Sequence, residues 1–416
     1  MKMGDFCKNF DINADTVRYY IEEGLLAPRK RNNRYEFTDN DFRDMDAINK
    51  YKDLNFSIKQ IAQIMSYGRI SLDEKSIYSS FIMEFYKKKE KELIEEKKHI
   101  ENALEMLQND IKELNNFSKM KKEKIGIPFD FFQYLQCPKC GKTLLLNDAE
   151  VKNNNIFEGK LNCECDYEAK IVDGIIYTPS SIKRFEETFD YVDFKKNYVG
   201  QVESKYTSKI YTTGRLLFDE IIKEDRKDKV ILEFGVGFGT FFSHAKSEFL
   251  DSKFYILNDI DADIIKTTKS YFETTDKNPR IIYICSDIRE IPLKKHSVDY
   301  FINSFSMIEY FLNLNRNNQD LVYYYNDIKD LLAEDNLIFE LQMFIEKYNG
   351  KFEKDLSKIE KFFYEENLFE ELESNNIKVL RNPSRNISDI IGDAKGIIKE
   401  GSNIIMESFI SKYKNK

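Results

Sequence analysis

The sequence predicts a multidomain chain of α and α/β parts. It comprises a small helical unit with a long coiled-coil helix, a short β segment built on cysteines, and a doubly wound α/β sheet. Three observations predict this. Residues 72–124 form a charged stretch without Pro or Gly in which an apolar residue recurs every seven positions. Four of the six cysteines fall between Cys137 and Cys165. From about residue 185 onward, helical stretches alternate with short apolar runs, as a parallel sheet with crossover helices requires.

Composition bounds the function. With 416 residues, 42% apolar and 33% charged, the chain can bury real cores and is not a disordered segment. No apolar run approaches the roughly 18 residues of a membrane span, and residues 1–5 hold no signal-peptide core. A cytoplasmic location and no membrane partner are therefore expected. The net charge of -8 is unevenly placed. Residues 1–125 carry 24 Lys/Arg against 23 Asp/Glu, and residues 185–416 carry 33 against 41. The acidic total thus does not argue against a DNA-reading N-terminus.

In residues 1–70, a short helix over 5–10 leads through the turn Asp11-Ile12-Asn13 into a second helix, which Asn13 can cap and Gly24 ends. Two helices joined by such a turn are a helix-turn-helix candidate. Asn13, Thr16, Arg18 and Tyr19 fall at the end of the second helix that meets base edges. Arg29, Lys30, Arg31 and Arg34, interleaved with Tyr35 and Phe37, suit phosphate contacts. These residues resemble the MerR transcription regulators: Thr16-Val17-Arg18-Tyr19-Tyr20, Gly24-Leu25-Leu26 and Pro28-Arg29 match its helix-turn-helix, and Arg34-Tyr35-Glu36-Phe37 its wing. Asp41-Phe42, Ile48, Leu54-Asn55-Phe56-Ser57-Ile58 and Ile61 resemble its second helix pair. The wing departs from the usual Gly-Tyr-Arg, reading Asn33-Arg34-Tyr35. The resemblance implies double-stranded promoter DNA and RNA polymerase as partners.

Over 71–125, Tyr86, Leu93, Ile100, Leu107 and Leu114 form the seven-residue stripe, with Leu104 and Ile111 at the complementary position. A homodimer helix is expected, which the resembled family pairs antiparallel. Residues 71–136 hold no cysteine, so metal sensing near the end of that helix is not expected.

Over 129–179, Cys137-Pro138-Lys139-Cys140-Gly141 and Cys163-Glu164-Cys165 supply four thiolates for one tetrahedral zinc ion. A closed site of four cysteines is structural. The segment is similar to the zinc ribbon that precedes some bacterial methyltransferases, including ribosomal-RNA guanine methyltransferases.

In 185–416, the strand Val230-Ile231-Leu232 runs into Glu233-Phe234-Gly235-Val236-Gly237-Phe238-Gly239, with a helix expected from Thr240. A second strand ends at Asn258-Asp259, a third, over 281–285, at Ser286-Asp287-Ile288, and a fourth, over 298–302, at Asn303. This order of motifs resembles the class I S-adenosylmethionine-dependent methyltransferases, which implies a Rossmann-like methyltransferase sheet. By that resemblance Glu233, Gly235, Gly237 and Gly239 line the methionine and ribose side, Asp259 holds the ribose hydroxyls and Ile260 packs on adenine. Asp287 and the Ile288 backbone meet the adenine edge, and Asn303 sits near the methionine moiety. No catalytic residue is legible: Cys285, Glu309, Tyr310, His244 and His296 all read better as packing or surface groups. Tyr206, Tyr211 and Arg215 fall where a segment closes over the cofactor, and a strand over 403–411 finishes the sheet. The expected function is a dimeric transcription regulator whose methyltransferase domain acts on, or senses, a small molecule. The alternatives are a sensor without catalysis and an RNA methyltransferase.

Overall fold

The computed structural model describes residues 1–70, 75–117, 123–182, 196–197, 200, 204–237, 239, 241, 252–273, 280–306, 324–347, 363–384, 391–392 and 403–414. The chain divides into two compact units, Met1–Lys119 and Met120–Lys416.

In the first unit, helix α1 (Met3–Phe10) is followed by α2 (Ala14–Glu22), with Asn13 as N-cap. A hairpin joins β1 (Arg29–Arg31) to β2 (Arg34–Glu36). Its turn residues Asn32 and Asn33 both have positive φ, the geometry that matches strand twist in a two-residue hairpin. Helix α3 (Asp39–Asp53) opens with a Thr38/Asp41 capping box and is followed by α4 (Ile58–Ile70). Phe6, Val17, Tyr20, Leu25, Phe37, Met45, Ile48 and Ile61 form one core, with Phe85 and Tyr86 packed against it. Phe85 and Tyr86 belong to α5 (Lys75–Phe117). The helix expected over 72–124 therefore ends earlier, because Glu123 and Ile125 already donate their N–H groups to Glu273.

The second unit opens with β3 (Ile127–Pro128) and a 3-10 turn, Phe129–Tyr134. The strands β4 (Leu145–Lys152), β5 (Asn155–Asn162), β6 (Glu168–Val172) and β7 (Ile175–Tyr177) follow. Next come α6 (Ser204–Ile221), β8 (Val230–Phe234), β9 (Phe254–Asp259), α7 (Ala262–Phe272), β10 (Ile281–Cys285), β11 (Val298–Ser304) and α8 (Tyr324–Ile328). The chain continues through β12 (Leu332–Lys347), α9 (Glu365–Ser374), β13 (Ile377–Arg381), β14 (Ile391–Gly392) and β15 (Asn403–Tyr413).

Among the described residues these strands form one sheet in the order β13-β15-β12-β11-β8-β9-β10-β7-β6-β5-β3. The strands from β12 to β7 run parallel, while β15 is antiparallel to β12. The late strand expected over 403–411 is β15, inserted between β12 and β13. One sheet face packs Leu217, Phe218, Ala262 and Ile265, and the other packs Phe131, Tyr325, Ile328, Leu368 and Leu372. The path moves outward from β8 through β9 to β10 and then returns to β11 on the other side of β8. The switch point, where such sheets leave a crevice, thus lies between β8 and β11. The cysteine-bearing segment is continuous with this sheet, since β7 pairs in parallel with β10.

Candidate functional site

In the first unit, the Asn13 Oδ1 accepts from the Thr16 backbone N–H at 2.7 Å and from the Thr16 hydroxyl at 2.9 Å. Asn13 and Thr16 therefore set the start of α2, and Arg18 and Tyr19 stand exposed one turn on. Arg18 is ion-paired with Asp15, itself exposed, and such a pair costs little to exchange for a phosphate. On the hairpin, Arg31 faces Arg34 across the turn and Arg29 faces Glu36. Alternation along the strand puts Arg29, Arg31 and Arg34 on one face. Lys30 lies on the other, 5.5 Å from the Tyr35 ring centre. A helix end and a cationic wing thus share one core, an arrangement suited to a nucleic-acid backbone and groove.

The cysteines come together as the spacing predicts. The four thiol sulfurs of Cys137, Cys140, Cys163 and Cys165 all lie within 4.8 Å of one another, and they are the one such set of potential ligands among the described residues. Two pairs, Cys137 with Cys165 and Cys140 with Cys163, stand at 3.4 Å. Zinc–sulfur bonds of about 2.3 Å place tetrahedral sulfurs at comparable separations, so the set fits one Zn²⁺. Burial pushes the Cys137 thiol up, and a divalent cation supplies the charge that holds thiolates there.

At the switch point of the sheet, Gly235, Gly237 and Gly239 all have positive φ, in the turn after β8. A side chain at Gly235 is excluded, since its Cβ would lie 2.2 Å from the Ser306 Oγ. The Gly237 N–H donates to Asp259 at 3.0 Å and the Asp261 N–H donates to its other oxygen at 2.9 Å. An acid at the end of β9 is thereby pinned against the glycine turn. Asp287 caps the 3-10 turn Ile288–Glu290 by accepting the Arg289 N–H, and its carboxylate also holds the Arg289 guanidinium at 2.6 Å. Asn303, fully buried, accepts the Ser306 N–H at 3.0 Å, while the Ser306 hydroxyl donates to the Gly235 carbonyl at 2.7 Å. Gly235, Gly237, Asp259, Asp287 and Asn303 thus sit at the carboxyl ends of four neighbouring strands. Ile288 is buried beside Asp287 and Ile260 is half-buried beside Asp259. Tyr206 is buried and Tyr211 exposed.

Glu233 differs in kind. It is wholly buried, accepts from the Tyr255 hydroxyl, and is pushed up to about 7 by burial. Its Oε1 has no hydrogen-bond partner among the described residues. Cys285 is a buried strand residue pushed up to about 12 by burial, as a bystander thiol would be. The ring of His296 meets the Leu332 carbonyl at 3.1 Å, away from the glycine turn. The helix expected from Thr240, together with His244, Glu309 and Tyr310, lies outside the described residues.

Sequence reasoning missed Glu340. It lies beside Asn303 in the β11–β12 register and accepts the Asn303 amide at 3.2 Å and the Tyr325 hydroxyl at 3.2 Å. Burial pushes it up to about 7. The signal was present in Phe339-Glu340-Leu341-Gln342-Met343, a strand otherwise too apolar to carry an idle acid.

The first unit is therefore a helix-turn-helix module with a basic wing, and the second is a doubly wound, Rossmann-like fold with a four-cysteine cluster. Residues 1–68 match the MerR HTH family regulatory protein, so the N-terminus is a domain of that family. The chain is similar to the heavy metal-dependent transcription regulator 2 of Rhizobium meliloti, 28% identical over 94 residues, covering 21% of this chain and 64% of that one. It is also similar to the HTH-type transcriptional regulator HmrR of Sinorhizobium medicae, at 29% with the same coverage. The chain spans just under two thirds of these relatives. A SAM-dependent methyltransferase from Aquifex aeolicus overlaps 54% of this chain and 99% of its own, at 13% identity and a TM-score of 0.33. The Burkholderia thailandensis 1,6-didemethyltoxoflavin-N1-methyltransferase overlaps 62% and 99%, at 10% identity and 0.33. It is the strand order, rather than these overlaps, that defines the fold of the second unit.

Proposed function

We propose that this chain is a transcription regulator that dimerises through α5 and reads promoter DNA through α2 and the β1–β2 wing. In this reading the second unit binds S-adenosylmethionine and methylates a small molecule. RNA polymerase at the promoter is the further partner that the MerR resemblance implies. The observation that carries the cofactor reading is the pinned Asp259 beside a turn of three positive-φ glycines at the sheet's switch point. Two ribose hydroxyls are donors, and a carboxylate fixed by backbone N–H groups is the acceptor they need. Gly235, Gly237 and Gly239 would give close backbone approach to the amino-acid tail, and Asp287 with the Ile288 backbone would meet the adenine edge. The bound cofactor supplies an electrophilic methyl group on a sulfonium. The chain's part is alignment and exclusion of water, which methyl transfer needs more than an activated side chain. Zn²⁺ held by Cys137, Cys140, Cys163 and Cys165 is structural in this reading.

Dimerisation is supported by Ile100, Leu104, Leu107, Ile111 and Leu114, all exposed on α5 at the seven-residue spacing. The test is calorimetric titration of the full chain with S-adenosylmethionine, followed by transfer of labelled methyl to candidate small molecules. Saturable binding that Asp259→Ala removes supports the cofactor site. Binding without turnover on any acceptor would make the domain a sensor, and labelling of ribosomal RNA would transfer the reading to that substrate. Any effect on DNA binding requires the ligand to prefer one of two dimer states.

A further inference from the structure

The four-cysteine segment grips the loop that follows β10 from both sides. After β7, residues 178–182 cross the carboxyl ends of β10 and β9. The Thr178 N–H donates to the Cys285 carbonyl at 3.1 Å, and the Ser181 hydroxyl donates to the same carbonyl at 2.6 Å. The Ser180 Oγ accepts the Asp287 N–H at 3.0 Å, and the Thr178 hydroxyl donates to that of Ser286 at 3.1 Å. One strand over, the Ile182 N–H donates to the Ile260 carbonyl at 2.9 Å, and the Ile182 carbonyl accepts the Ala262 N–H at 3.0 Å. These backbones carry Asp259, Ile260, Asp287 and Ile288. On the far side of the same loop, the Gln136 N–H donates to the Pro292 carbonyl at 3.1 Å. The Lys294 N–H donates to the Tyr134 carbonyl at 2.7 Å, and the Gln136 Oε1 accepts the Lys295 N–H at 3.2 Å. Gln136 directly precedes Cys137. Tyr167, two residues after Cys165, is buried in the same cluster as Ile288, Ile291 and Leu293.

We propose that Ser180 and its strap are positioning elements for a nucleoside, the adenosine end of the cofactor, and that metal at the four cysteines sets cofactor affinity by holding this grip closed. The inference rests on the S-adenosylmethionine reading above. The thiols tie the stretch after Gln136 to the stretch before Tyr167, and these two flanking residues touch the loop that carries Asp287. The ligand loop 138–142 is largely exposed, and the loop 163–166 packs only its half-buried Cys163 and Cys165 against the core, so without a cross-link both can open and release the loop.

The test uses the full chain in four forms: zinc-loaded, zinc-stripped, Ser180→Ala and Ser180→Thr. Each is assayed for metal content, S-adenosylmethionine affinity and amide hydrogen exchange. Ser180→Ala is expected to keep its metal, to bind S-adenosylmethionine about threefold to tenfold more weakly, the range for one lost hydrogen bond, and to exchange faster at 286–291. Ser180→Thr, which keeps the hydroxyl, is expected to restore the affinity. Stripped protein is expected to exchange faster at 286–295 with β11 and β12 still protected, and to bind more weakly. Unchanged affinity in both the Ser180→Ala and stripped forms overturns the inference, as does faster exchange over the whole sheet on stripping. If the loaded protein binds no S-adenosylmethionine, the cofactor reading fails separately. Exchange at 286–295 then decides the grip alone: faster rates on stripping uphold it and unchanged rates overturn it.

Discussion

Replacing Glu340 with Gln is expected to stabilise the second unit at pH 8 and to do so far less at pH 5. Burial pushes this carboxyl from an ordinary 4.5 up to about 7, against the opposing donation of Asn303, Tyr325 and Gln342. Between those two values the folded chain holds a proton that the unfolded chain has released. Stability therefore falls as pH rises from 4.5 to about 7 and is level above that. A displacement of that size corresponds to about 3 kcal/mol. The Gln amide oxygen can still accept from Asn303 and Tyr325 while nothing titrates, so up to about 3 kcal/mol is recovered at pH 8. Glu233 is displaced in the same direction, but it is common to both proteins and cancels in the difference. Calorimetry of the full chain reads the effect as a rise in Tm of the second unit's transition, by roughly 2–4 °C per kcal/mol. Equal shifts at pH 5 and pH 8, or a less stable variant at pH 8, would refute the reasoning, because the carboxylate would then be held charged at a net benefit.

Asn13→Ala removes the acceptor of the Thr16 N–H at the start of α2 and should cost the first unit about 1 kcal/mol, read as a lower first transition together with weaker operator binding in a gel-shift titration. Gly235→Ala forces a side chain onto a φ of +63° and into the Ser306 hydroxyl. It should weaken S-adenosylmethionine binding by calorimetry, and Ser306→Gly added to it should restore binding only in part, since the backbone strain of about 1–2 kcal/mol persists. Leu107→Glu with Leu114→Glu places charge on the exposed stripe of α5 and should convert a dimer into a monomer in sedimentation, with the first unit's transition retained. Cys163→Ser should lower bound zinc to a substoichiometric level by atomic absorption while leaving DNA affinity intact.

The legible parts of this chain are those fixed by neighbours in sequence. Asn13 caps α2 because the acceptor it offers lies three residues from the N–H it satisfies. The wing is a hairpin because Asn32 and Asn33 both tolerate the left-handed region, which Gly would otherwise serve. Asp259 could be placed at a strand end because the apolar run 254–257 stops there, and the four cysteines were found because metal geometry limits their spacing. The wing's charge is local in the same way: Arg29, Lys30, Arg31 and Arg34 lie within six residues, and strand alternation puts three of them on one hairpin face.

What was not legible depends on which strands become neighbours. Glu340 has no meaning until β12 lies beside β11, and the register then sets it against Asn303 from 37 positions away in sequence. Ser180 reads as a linker residue after Pro179 until β7 joins the outer edge of β10, which turns the following residues across the strand ends that carry Asp287 and Asp259. Glu233 is the converse case. Its position before the glycine turn resembles a cofactor-lining acid, yet strand alternation turns the side chain toward Tyr255 in the packed face. A local motif therefore locates the turn, whereas the pairing of strands decides which of its side chains are turned into the core.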